Sequence, residues 1–254
     1  MTSIFIRSLV FNVGFYLSLA VHCIVGIPTL LMPKQAIIEI AKSWSRSTTW
    51  MLRVICNIHV EYRGMEKMPK GPLIIASKHQ SAWETIAFLP LVHAPLFILK
   101  RELTWLPFFG WYLLKAKMIP VNRTAGGRAL IAMTKLARER IADDRQLIIF
   151  PEGTRRSVGA EPSYKFGVAQ VYVECGVQCL PVALNSGLFW PRRTFLRYPG
   201  TVIVEFLDLI PPGLKRDVFL SEVSTAIEDA SNRLIAEGRA EQARLGVGPS
   251  QAET

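Results

Sequence analysis

A histidine and a carboxylate five positions apart, His79 and Glu84, stand in the stretch Ser77-Lys78-His79-Gln80-Ser81-Ala82-Trp83-Glu84-Thr85. A neutral imidazole can take a proton near pH 7, and a nearby carboxylate fixes its tautomer and steadies the imidazolium as it forms. Within one helix, side-chain neighbours lie three or four apart, so an offset of five is awkward there. It becomes workable if His79 sits in a loop and Glu84 in the first turn of the helix that follows. The same residues also fit a second reading. Ser81-Ala82-Trp83-Glu84 has the S-x-x-E form of a capping box, in which the glutamate serves only a backbone N–H at the helix start.

Other residues suited to holding an anion recur in similar settings. Phe150-Pro151-Glu152-Gly153-Thr154-Arg155 follows an apolar run. Gly153 allows close backbone approach, Thr154 offers a hydroxyl and Arg155 can fork onto phosphate oxygens. Glu152 is placed either to hold that arginine or to accept from a substrate hydroxyl. Arg123 closes Met118-Ile119-Pro120-Val121-Asn122-Arg123, and Lys100 follows the apolar residues 96–99. Taken singly, each fits a solvated surface cation; together they fit a phosphate held beside a base that activates a neighbouring hydroxyl.

The elements that must position these groups are short. Apolar, β-branched runs at 58–62, 73–76, 96–99, 118–121, 147–150, 179–184 and 202–206 read as strands. Between and after them, residues 128–141, 167–174 and 219–234 carry apolar positions at helical spacing, and a short helix from 82 to about 89 stops at Pro90. Strands alternating with helices predict an α/β domain with a mostly parallel sheet flanked by helices. In such sheets, loops at the carboxyl ends of the strands carry the chemistry.

Composition narrows the partners. The chain has 254 residues, 50% of them hydrophobic, with mean hydropathy +0.25, net charge +10 and pI near 9.7. A cationic, apolar chain suits an anionic membrane surface or a phosphorylated substrate. Nucleic acid is not expected, since there is no zinc-finger spacing, RNP-like stretch or dense basic helix. Cys23, Cys56, Cys175 and Cys179 read as reduced core residues, which fits a domain facing the cytoplasm. Residues 9–32 are almost wholly apolar, long enough as a helix to cross about one bilayer core. Residues 34–58 interleave apolar and basic side chains, as does a helix lying on an anionic membrane or one covering the domain core. The expected organisation is a membrane-anchoring helical segment at 1–58, an α/β domain at 59–245 and a disordered tail at 246–254.

Four ordered blocks between Leu73 and Leu184 resemble those of the glycerolipid acyltransferases, closest to the bacterial 1-acylglycerol-3-phosphate acyltransferases. His79 through Glu84 resembles their His-x4-Asp block, with glutamate in place of aspartate. Gly110 through Arg123 resembles the second, Phe150 through Arg155 the third and Leu180-Pro181-Val182-Ala183 the fourth. The resemblance implies transfer of a fatty acyl group from acyl-CoA or acyl carrier protein to the sn-2 hydroxyl of lysophosphatidic acid, giving phosphatidic acid. It places His79 as general base, Glu84 as its helper, and Lys100, Arg123, Glu152, Gly153, Thr154 and Arg155 around the glycerol phosphate. It implies no cofactor, no metal and no acyl-enzyme, and a bacterial inner membrane with the catalytic domain on the cytoplasmic side. Two other outcomes stay open: acylation of another lysolipid such as a lyso-ornithine lipid, and a catalytically silent membrane-binding homologue.

Overall fold

Side chains alternate across a strand, so a run that is apolar at every position must be covered on both faces. Strand β2 (Leu73–Ser77) shows this directly, with every residue buried. Leu73 and Ile75 enter one apolar cluster, Ile74 and Ala76 the other. The computed structural model describes residues 2–122 and 126–247. Arg123, and residues 248–254 of the expected tail, lie outside the described residues.

The remaining strands are β1 (Ile58–Arg63), β3 (Pro95–Lys100), β4 (Ile119–Val121), β5 (Gln146–Ile149), β6 (Cys179–Leu184) and β7 (Gly200–Phe206). They form one sheet in the order β1-β7-β6-β2-β5-β3-β4, with β2 at its centre. Strands β6, β2, β5, β3 and β4 are mutually parallel, so the loops after them emerge along one edge. β7 runs antiparallel to β6 and β1 parallel to β7, so two strands of the mostly parallel sheet are reversed.

The helices are α1 (Thr2–Val25), α2 (Lys34–Cys56), α3 (Glu84–Ala87), α4 (Phe109–Lys115), α5 (Gly126–Ile141), α6 (Phe166–Cys175) and α7 (Arg216–Leu245). α5, α6 and α7 cover one face of the sheet through Ala137, Ile141, Val168, Tyr172, Phe219, Val223 and Ile227. Trp83, Phe88 and Phe189 cover the other. Burying each such side chain contributes roughly 1.5–3 kcal/mol.

α2 belongs to the core. Its Ile37 and Ile38 pack in one cluster and its Met51, Leu52 and Cys56 in the other, so the covering role is the one the structure shows. α1 is different. Only Ser8 and Phe11 are buried, and Phe5, Ile6, Leu9, Val10, Val13, Leu17, Val21 and Ile24 face outward. It is long and apolar enough to cross a membrane. Phe11 meets Trp190 edge-on at 5.3 Å, and Phe15 lies 5.5 Å from Trp44.

Candidate active site

His79 follows β2 by two residues, and its position is set from both sides of the backbone. Its N–H donates to Glu152 Oε2 at 2.9 Å and its carbonyl accepts from Arg156 N–H at 2.8 Å. The ring stacks on Phe150, centroids 4.0 Å apart and planes 19° from parallel. Nδ1 is buried and lies 3.6 Å from Glu84 Oε2. That separation is longer than a hydrogen bond, and such contacts tighten when substrate binds. With Nδ1 turned to the carboxylate, the opposite edge of the ring is left for the cavity that His79 helps to line.

Glu84 has the geometry of a cap and also faces His79. Its Oε1 accepts from Gln80 N–H at 2.9 Å and Ser81 N–H at 2.8 Å, as a cap does. It also accepts from Ser186 Oγ at 2.6 Å, across the sheet edge from β6. Oε2 is the oxygen turned toward His79. A carboxylate has enough lone pairs for both tasks. The extra methylene relative to aspartate lets the group fold back over the loop that precedes its own helix.

Behind the histidine sits a buried ion cluster. Lys78 Nζ lies 3.0 Å from Glu152 Oε1 and 2.5 Å from Glu228 Oε1, which also accepts from Tyr164 OH at 2.8 Å. Burial pushes the Glu152 carboxyl above the usual carboxylate range, and the Lys78 charge opposes that push. Glu152 therefore does not meet the expectation of a substrate contact. Both its oxygens are occupied, it is 1% exposed, and it holds neither Arg155 nor a cavity wall. What it positions is His79.

The cavity has a volume of about 630 Å³. Its apolar part runs between α1, α2, β3 and α4, past Leu19, Ile38, Trp44, Phe97, Tyr112 and Met118. Tyr112 closes it against α1 by donating its hydroxyl to the Cys23 carbonyl. The polar part gathers His79, Thr154, Arg155, Lys100, Arg192 and Arg193. Gly153 makes the turn into this loop at φ +67°, a conformation costly for other residues. Arg155 has no carboxylate within ion-pair distance among the described residues, whereas Lys100 lies 3.6 Å from Glu102 on the surface.

The structure thus brings His79, Lys100, Thr154 and Arg155 to one cavity, with Glu84 buried beside His79 rather than in the cavity wall. Lys78, Gln80, Ser186, Gly187, Arg192, Arg193 and Glu228 were not singled out by sequence. Gly187 is needed for close approach: its N–H donates to Gln80 Oε1 at 3.1 Å, and a Cβ there would lie 2.9 Å from Gln80 Cβ. Lys78 and Gln80 adjoin His79, and that adjacency is the one local signal; the other five carry none.

A histidine beside a cationic mouth, opening on an apolar cavity at the carboxyl edge of an α/β sheet, is an arrangement able to hold an anionic, apolar molecule against an imidazole. Residues 59–185 match the Acyltransferase family, and the chain belongs to it. It is 40% identical over 166 residues to a 1-acyl-sn-glycerol-3-phosphate acyltransferase of Pseudomonas aeruginosa, covering 65% of this chain and 64% of that protein. It is 28% identical over 170 residues to 1-acyl-sn-glycerol-3-phosphate acyltransferase alpha of Ovis aries, covering 65% and 59%. The matched stretch spans less than two thirds of these relatives' lengths. Among solved structures, the fold is shared with the 1-acyl-sn-glycerophosphate acyltransferase PlsC of Thermotoga maritima: TM-score 0.73, 23% identity, 90% of this chain and 97% of that one.

Proposed function

We propose that the protein transfers a fatty acyl group from a thioester to the sn-2 hydroxyl of 1-acyl-sn-glycerol 3-phosphate, forming phosphatidic acid. The observation that carries this reading is the place of His79, at the junction of the cationic mouth and the apolar cavity. A lysophosphatidate has the same polarity: one charged end, one apolar chain and a hydroxyl between them. The names of the relatives point to the same acceptor.

In the step itself, the free nitrogen of His79 takes the hydroxyl proton as the alcohol oxygen attacks the thioester carbonyl. Glu84, facing Nδ1, stabilises the imidazolium. The tetrahedral intermediate collapses with cleavage of the C–S bond, and the imidazolium returns its proton to the departing sulfur. Arg155 and Thr154 hold the acceptor phosphate, with Lys100 and Arg123 as further cations. The assay is a purified protein offered lysophosphatidic acid, glycerol 3-phosphate and a lyso-aminolipid with labelled thioester. Label entering only phosphatidic acid supports the reading; label entering the aminolipid alone overturns it.

Arg155→Ala is expected to raise KM for lysophosphatidate by about 10- to 100-fold, the worth of a charge-assisted phosphate contact. Its effect on KM for the thioester is expected to be much smaller. Equal rises for both substrates would remove Arg155 from the acceptor's site.

We also propose that the outward face of α1 enters the cytoplasmic membrane of a bacterium from the cytoplasmic side, with Trp50 and the exposed Trp105, Phe108 and Trp111 at its interface. Replacing Leu9, Val13 and Leu17 together with glutamate is expected to release the protein from anionic vesicles in a sedimentation assay. These side chains are 45–63% exposed, so the core is left intact. Full sedimentation of the triple variant would count against the anchor.

A further inference from the structure

The cations at the cavity mouth come from two flanks of His79. Arg155 and Lys100 follow β5 and β3, on one side of the central strand β2. Arg192 and Arg193 stand in the loop between β6 and β7, on the other side. Neither arginine of this pair has an ion-pair partner or a side-chain hydrogen bond among the described residues, and Arg193 sits at φ +56°, in the left-handed region. A non-glycine residue held there is strained, and such positions concentrate where structure serves a ligand.

The loop that carries the pair is fixed from behind. Arg197 is buried, its guanidinium 4.3 Å from the Trp190 ring centroid. It donates to the carbonyls of Thr194, Phe195 and Leu196 at 2.9–3.1 Å and to Asn12 Oδ1 of α1 at 3.2 Å. Ser8 Oγ of α1 accepts from the Arg197 N–H at 2.9 Å. The two uncompensated arginines are thus presented to the cavity by a clamped segment.

Direct transfer requires both substrates to be present together, and each carries phosphate. In the acceptor, the phosphate is borne by the carbon next to the one with the reacting hydroxyl, so it stays close to His79. In the donor, the phosphate lies at the far end of the phosphopantetheine arm, the part common to acyl-CoA and acyl carrier protein. Like charges placed in one subsite repel, so two phosphates need two separate sets of cations. We infer that Arg192 and Arg193 form the donor subsite, binding the phosphopantetheine phosphate on the β6 side of His79. This rests on the thioester-dependent transfer proposed above.

The test uses the full chain in detergent micelles with S-palmitoyl phosphopantetheine and S-palmitoyl pantetheine, which lacks the phosphate. The double variant Arg192→Ala/Arg193→Ala is expected to raise KM for the phosphorylated donor about 10- to 100-fold. KM for lysophosphatidate and turnover with the pantetheine donor are expected to stay within about twofold. The Arg192→Lys/Arg193→Lys variant should recover most of the loss. An equal loss with the pantetheine donor would make the pair structural. A loss confined to lysophosphatidate would assign it to the acceptor, and a loss only of binding to anionic vesicles would assign it to lipid headgroups. Each of these three results overturns the donor subsite. Calorimetric titration with S-hexadecyl phosphopantetheine, a thioether that cannot react, needs no acceptor. Binding that weakens in the double variant upholds the subsite even if lysophosphatidate is not acylated; unchanged binding overturns it even if it is.

Discussion

Replacing His79 with alanine is expected to lower kcat by about 10²- to 10⁴-fold, the range that a positioned general base contributes. KM for lysophosphatidate should change little, because Thr154 and Arg155 remain in the cavity wall and the apolar chain keeps its contacts. Stability should change little too. The His79 side chain makes no hydrogen bond that the fold depends on, and its backbone bonds to Glu152 and Arg156 survive the substitution. Binding to vesicles, proposed above for α1, should be the same in variant and parent. The measurement is therefore a turnover assay paired with vesicle sedimentation. A variant that keeps its turnover would remove the base from the mechanism. One that loses turnover and vesicle binding together would point to damage to the fold.

The strands were legible because this sheet is covered on both faces. Leu73–Ser77 and Gln146–Ile149 are buried at every position, and a short run with no polar interruption is the sequence form of that burial. Strand direction was less legible, since side-chain alternation is the same in a parallel and an antiparallel strand. The reversal of β7 shows only in its register against β6.

The dyad illustrates a different limit. Spacing allowed Glu84 to be a cap or to face His79, and the structure shows both: Oε1 accepts from the loop N–H groups and Oε2 lies 3.6 Å from His79 Nδ1. Its third partner, Ser186, is 102 residues away, and Glu228 is 150 residues from Lys78. Contacts between elements that meet only through the sheet leave no periodic trace. α2 shows why membrane and core are hard to separate: each asks only for an apolar stripe, and the stripe does not say what will cover it.

Lys78→Met is expected to cost about 3–5 kcal/mol of stability, because it leaves two carboxylates, Glu152 and Glu228, facing each other without their cation. For a chain of this size that corresponds to a melting temperature lower by roughly 6–20 °C. Removing a carboxylate at the same time, as in Lys78→Met/Glu228→Gln, should recover part of the loss. The pH dependence has a definite sign. The Glu152 carboxyl already titrates above its ordinary value through burial, and losing Lys78 moves it higher still. A carboxyl whose folded pKa is raised weighs against folding while it is ionised. That cost is greatest above the folded pKa and vanishes below the unfolded value of about 4.3. The stability gap between variant and parent should therefore shrink as pH falls from 8 toward 4, read as the difference in denaturant midpoints. A gap that stays constant or widens would mean that the Glu152 charge is not what Lys78 neutralises. The same variant should also lose turnover, since Glu152 holds the His79 N–H and a displaced carboxylate shifts the imidazole with it.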